Sequence, residues 1–338
     1  PPRIWPQLFG IMSAVWGVAA FSGPLLGAVI SEALSWRAAF AIFACGGVAM
    51  AVVTLFVLRG PAAARRQSVD TAPPFPFVAL SCLAASVILV AYAGVEISLL
   101  GSTAFLTAGL AGLATFFRLD ARKPASRLFP QRLFDWRSPL GCGMTMIASL
   151  SVATCGFTVY GPLLLTSLHG VSLLATGYII AAESIAWSVM SILVASASPA
   201  RERPIVLAGA VMIAGGVAGF AWTVPSGNIP LVLACAVLQG GGFGIAWPFV
   251  TRIIVAAARP EERTIASSAV PTMQRIGYAV GAAVSGIIAN AGGFGEGLSR
   301  QAAETVAVWL FAGFIPLAAL GIFAAAMLMR SPRPDARS

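Results

Sequence analysis

Charge is what this chain has least of. Charged residues make up 10% of its 338 positions, well under the roughly 25% of a soluble globular domain. Lys123 is its only lysine and His169 its only histidine. With so little charge, 58% hydrophobic residues and a mean hydropathy of +0.89, the chain does not fit a soluble domain of this length. The five cysteines, Cys45, Cys82, Cys142, Cys155 and Cys235, are an odd number scattered singly through apolar runs. That spacing excludes a disulfide framework and a clustered metal site, and leaves them as small apolar fillers. No phosphate-binding glycine loop, dinucleotide fingerprint, nucleophile elbow or water-accessible carboxylate pair occurs, which argues against an ATP-driven pump and a membrane hydrolase. The expectation is a chain that is not an enzyme and holds no cofactor or metal.

What is present is a series of long apolar runs. Crossing the hydrocarbon takes about 20 mainly apolar residues. On that measure ten spans are expected, over 8–30, 37–58, 77–95, 99–117, 139–166, 174–195, 204–224, 229–256, 265–290 and 304–329. No strand-type alternation competes with them. Lipid leaves unpaired backbone unsatisfied, and these runs are too long for barrel strands, so the fold class is an all-α integral membrane protein.

The net charge of +9 would suggest nucleic acid in a soluble protein. Here the basic residues lie in short loops between apolar runs, so membrane topology explains them and nucleic acid is set aside. If residues 1–7 are cytoplasmic, 18 of the 21 basic residues fall on the cytoplasmic side, Arg37 and Arg300 fall outside, and Arg275 lies within a span. That bias orients the chain, with a cytoplasmic C-terminus. The segment 118–138 mixes six basic residues with Phe129, Leu133, Phe134 and Trp136, a composition suited to the anionic cytoplasmic surface of a bilayer.

Two ionisable side chains fall mid-span, where insertion costs roughly 2.5–3.5 kcal/mol and demands a reason. Glu183 shares a helical stripe with Trp187 and Met190, beside a second stripe of Ser184, Ser188 and Ser191. It is either a proton-exchanging group or a fixed packing partner of Arg275 or of backbone. Arg275 follows Gln274; it either binds an anionic substrate group, neutralises Glu183 or reaches a polar surface. Gln239 and Trp247, two turns apart around the Gly240–Gly244 cluster, share a face that can line a cavity, and Tyr160 and Trp187 are similar candidates. His169 sits at the external edge, where solvation explains it. The first run holds Gly17, Gly23, Pro24 and Gly27, a wall almost without side chains that a second helix can approach closely, with a proline that bends it.

That stretch, followed by Trp36-Arg37 and Phe40, resembles the antiporter motif of major facilitator superfamily drug exporters, in the fourteen-helix drug:proton antiporter subfamily. Tyr160-Gly161-Pro162-Leu163, Gln239 to Gly244, Pro260-Glu261-Glu262-Arg263 and Gln274-Arg275-Ile276-Gly277 extend the resemblance over nearly the whole chain. Thr166 and Ser167 stand where that subfamily commonly has glutamines. The resemblance implies a major facilitator fold with the first four helices absent. Residues 1–58 would be the end of the N-terminal half, 59–138 two inserted helices with their linkers, and 139–338 the C-terminal six-helix half. It further implies a monomeric multi-pass protein of a bacterial inner membrane, whose partners are protons, a lipophilic or cationic small molecule and the lipid bilayer. Glu183 would couple to protons, and Trp187, Arg275, Gln239, Trp247, Tyr160 and Gln274 would line the translocation cavity. Import, uniport and a non-transporting assembly role are the alternatives.

Overall fold

The structure is a computed structural model that describes residues 15, 18, 19, 22, 23, 25–58, 75–123, 126–294 and 299–331. Helix runs through nearly all of them: α1 (25–33), α2 (Trp36–Leu58), α3 (Phe77–Ala93), α4 (Leu99–Arg122), α5 (Pro139–Ala153), α6 (Cys155–His169), α7 (Leu173–Val194), α8 (Glu202–Ser226), α9 (Ile229–Ala257), α10 (Arg263–Ala291) and α11 (Arg300–Arg330). No strand occurs among the described residues.

Local chemistry sets the helix ends. Ser98, Ser138, Ser172, Asn228 and Ser299 each accept the backbone N–H three residues on, satisfying a donor that the first turn leaves free. Gly170 and Gly227 close α6 and α8 at positive φ, where a side chain would be strained.

Seven segments among the described residues are long and apolar enough to cross a membrane, the continuous stretch Pro139–His169 counting as one. The run expected over 77–95 is the 17-residue α3, short of that length. The run over 265–290 is the 29-residue α10, whose serines, threonines, Gln274 and Arg275 leave it less apolar. Most of the first expected run, 8–30, lies outside the described residues. The run over 139–166 is broken at Thr154, whose hydroxyl donates to the Leu150 carbonyl at 3.0 Å in competition with the helix ladder.

Helices α5 to α11 share two apolar cores. One gathers Ile147, Leu150, Ile213, Phe243, Val250, Met273 and Leu328; the other centres on Phe157 stacked face to face on Phe220 at 3.9 Å. The α3–α4 pair packs against α10, where Gly286 lies against the backbone of Gly94 and the Asn290 amide donates to the Glu96 carbonyl at 3.0 Å. Helix α2 is different: apart from Ala38 and Ala39 its apolar side chains are exposed from Trp36 to Val57. Such a surface is suited to lipid or to further helices.

Candidate functional site

The α7–α9 seam brings the mid-span carboxylate together with its neighbours. Four glycines make the approach of the helices around it possible. A methyl carbon at Gly240 would lie 2.1 Å from the Glu183 carbonyl oxygen, and one at Gly244 2.3 Å from that of Trp187. Gly209 and Gly242 do the same for the α8–α9 contact, each lying against the other's carbonyl. Such backbone-to-backbone seams are how small residues substitute for apolar interlocking in membrane bundles. The hydroxyl of Ser191 adds a hydrogen bond to the Gly244 carbonyl at 3.0 Å.

In this seam the Gln239 side chain is fully buried, and its Nε2 donates to Glu183 Oε1 at 2.8 Å. The other amide atom, Gln239 Oε1, is buried without a hydrogen-bond partner. One turn further along both helices, Trp187 stacks on Phe243 at 4.8 Å between ring centres, and Trp247 closes on Phe243 edge-on at 4.9 Å. The result is a half-buried carboxylate one turn from an aromatic cluster in which Phe243 is buried and Trp187 and Trp247 are half-buried.

The other expected residues lie elsewhere. Arg275 is on α10, exposed, and makes no ion pair with Glu183 or another carboxylate among the described residues. Gln274 donates to the Tyr278 hydroxyl at 3.0 Å. Tyr160 is half-buried and faces Phe294, edge to face at 6.1 Å, in the second core. Gly17 and Pro24 lie outside the described residues. Among the described residues, a methyl carbon at Gly23 or Gly27 meets nothing within 4 Å. The stretch does reach the start of α7, where the Leu174 N–H donates to Glu32 Oε1 at 3.1 Å. His169 is bonded rather than merely solvated, its Nε2 standing 2.7 Å from the Val224 carbonyl at the end of α8.

Sequence reasoning missed Phe243 and Tyr278. Phe243 lies one turn from both Gln239 and Trp247, and Tyr278 one turn from Gln274, so helical spacing alone pointed to each. Among the described residues no cluster of side chains could hold a metal ion.

The family model described as Major Facilitator Superfamily matches residues 1–226 and, overlapping, 152–338. A Mycobacterium tuberculosis protein named "Probable multidrug-efflux transporter" is 28% identical over 332 residues, covering 96% of this chain and 68% of that protein. The "Cephamycin export protein CmcT" of Amycolatopsis lactamdurans is 27% identical over 85% of this chain and 60% of its own length. The "Tetracenomycin C resistance and export protein" of Streptomyces glaucescens is 25% identical, with 85% and 53% covered.

Proposed function

Because the chain belongs to the Major Facilitator Superfamily, we propose that it exports lipophilic, often cationic, small molecules in exchange for protons, with Glu183 carrying the proton. A transporter of this family is a multi-pass membrane protein that binds a small molecule. The single observation that supports the finer reading is the Glu183–Gln239 pair beside the Trp187–Phe243–Trp247 wall. A carboxylate there attracts a cation when charged and releases it when protonated, which is the alternation an exchanger needs. Export, rather than import, is supported by the relatives that are named as efflux and export proteins.

In this reading two six-helix halves rock about a midplane cavity. Helices α5 to α11 form the half that carries the site, and α3–α4 are the inserted pair. Helices α1 and α2 belong to the opposite half, which the exposed apolar length of α2 supports. The protein lies in the inner membrane with a cytoplasmic C-terminus, following the distribution of arginines.

The test is substrate-induced proton release from the full-length protein, wild type against Glu183→Gln. Release should disappear in the variant, which like the protonated carboxyl should bind a cationic substrate more weakly while a neutral one still binds; identical responses would discard the carboxylate as the coupling group. One observation favours a second reading, in which the substrate is anionic: Arg275 presents a guanidinium from α10 without an ion-pair partner among the described residues. Loss of transport of an organic anion in Arg275→Gln, with cation transport intact, would select it.

A further inference from the structure

The linker between α4 and α5 folds back as a compact cap. Both Asp120 oxygens accept backbone N–H groups from it, Leu128 at 2.7 Å and Phe129 at 3.0 Å. Arg127 ties it to the turn before α10, with Nη1 3.4 Å from Glu262 and Nη2 donating to the Ala121 carbonyl at 2.8 Å. Under this cap lies a cavity of about 350 Å³ lined by Phe117, Asp120, Arg127, Phe129, Arg132 and Phe134.

Three features of this cavity go beyond what a loop needs. The Arg127 side chain is only 8% exposed, yet its Nε–H is buried without an acceptor. Arg132, on the same wall, has φ of 59°, the one positive φ outside glycine among the described residues. A residue with a Cβ pays for that backbone conformation, and such positions persist where the side chain is needed. The segment 118–138 also carries six basic residues against Asp120 and Asp135, and both acids are occupied, Asp120 by backbone N–H groups and Asp135 by Arg132 and the Arg137 N–H.

We propose that this cavity binds the phosphate of an anionic phospholipid from the cytoplasmic leaflet, on Arg127 Nε and the Arg132 donors that its 3.9 Å pair through Nη1 with Asp135 leaves free, with the glycerol and first acyl carbons against Phe117 and Phe134. Guanidinium groups match phosphate geometry. In the topology proposed above, on which this inference rests, the site lies at the cytoplasmic end of α4, beside Arg118, Arg122 and Lys123, near the depth of lipid phosphates. Phe134 is 47% exposed and packs edge to face with Phe117 at 5.6 Å, leaving part of its ring open on the wall of the cavity. A bound lipid would fix the cap, and through Arg127 and Glu262 the start of α10.

The experiment is competition of phosphatidylglycerol against phosphatidylcholine for the full chain in neutral detergent, read as lipids retained in native mass spectrometry. Wild type should prefer phosphatidylglycerol by about fivefold or more, the size expected for one well-placed arginine near a lipid surface. Arg132→Gly removes the guanidinium and at the same time relaxes the backbone, so it should melt no lower than wild type and bring the preference close to parity. Arg127→Lys keeps a charge for Glu262 but removes the Nε donor, and should reduce the preference. Displacement of the lipid by millimolar inorganic phosphate would mean a free-anion site and overturn the proposal. So would equal retention of the two lipids by wild type, or an unchanged preference in Arg132→Gly.

Discussion

Gln239 gives one half of its amide to Glu183, 2.8 Å away, and leaves the other half, Oε1, buried without a donor. Two opposing terms therefore sit on one side chain. The donated bond is charge-assisted and worth about 1.5–3 kcal/mol, while the orphaned acceptor costs about 1–3 kcal/mol. Gln239→Leu, similar in volume, removes both. Because the same change leaves Glu183 Oε1 without its donor, stability should fall by about 1–3 kcal/mol, and substrate-driven proton release should fall because Glu183 loses the group that orients it. Full release in a well-folded Gln239→Leu protein would assign the amide to packing alone.

Two glycines that look alike in sequence should behave oppositely. An added methyl at Gly240 meets backbone, the Glu183 carbonyl oxygen at 2.1 Å, and backbone cannot rotate away. Gly240→Ala should push α7 from α9 and cost about 1–3 kcal/mol, as overpacking does. At Gly27 the methyl meets nothing within 4 Å among the described residues, so Gly27→Ala should be neutral or gain about 0.5–1 kcal/mol from helix propensity. Thermal melts of the two variants in the same detergent decide it. A strongly lowered melt for Gly27→Ala would show that a helix does press on that stretch.

The long helices were legible because lipid forces each apolar run to satisfy its own backbone, so length and hydropathy alone locate them. The stripe Glu183–Trp187 and the pair Gln239–Trp247 were legible as helix faces for the same reason. Their meeting was not, because the two stretches lie 56 residues apart and helical period says nothing about which helices become neighbours. The Gly240–Gly244 cluster marked a close approach without naming the carbonyls of Glu183 and Trp187 that fill it. The break at Thr154 escaped notice because a threonine in an apolar run carries no breaking signal as strong as proline's.

Asp120 is 3% exposed at the end of α4 and holds the cap through two N–H groups. Asp120→Asn turns one acceptor into an NH2 facing the N–H of Leu128 or Phe129. The lost charge-assisted bond and the resulting donor-donor contact should together cost about 1–3 kcal/mol. The expected readout is a lower melting temperature accompanied by faster protease cleavage between residues 123 and 138. Unchanged cleavage in Asp120→Asn would show that other contacts, such as Arg127 with Glu262, hold the cap without the carboxylate.

The α3–α10 seam gives a test of how firmly the helix pair α3–α4 is attached. An added carbon at Gly286 would stand 2.2 Å from the Gly94 carbonyl oxygen, so Gly286→Leu must force α3 away from α10. Asn290→Ala removes the amide that donates to the Glu96 carbonyl at 3.0 Å on the same seam, at a cost of about 1 kcal/mol. Once Gly286→Leu has opened the seam, Asn290 no longer reaches Glu96, and its substitution should cost little more. The double variant should therefore be more stable than the sum of the singles predicts, by more than the roughly 0.3–0.5 kcal/mol seen between independent sites. Additivity within that margin would mean that the two contacts open separately and that α3 pivots on α10 instead of leaving it as a unit.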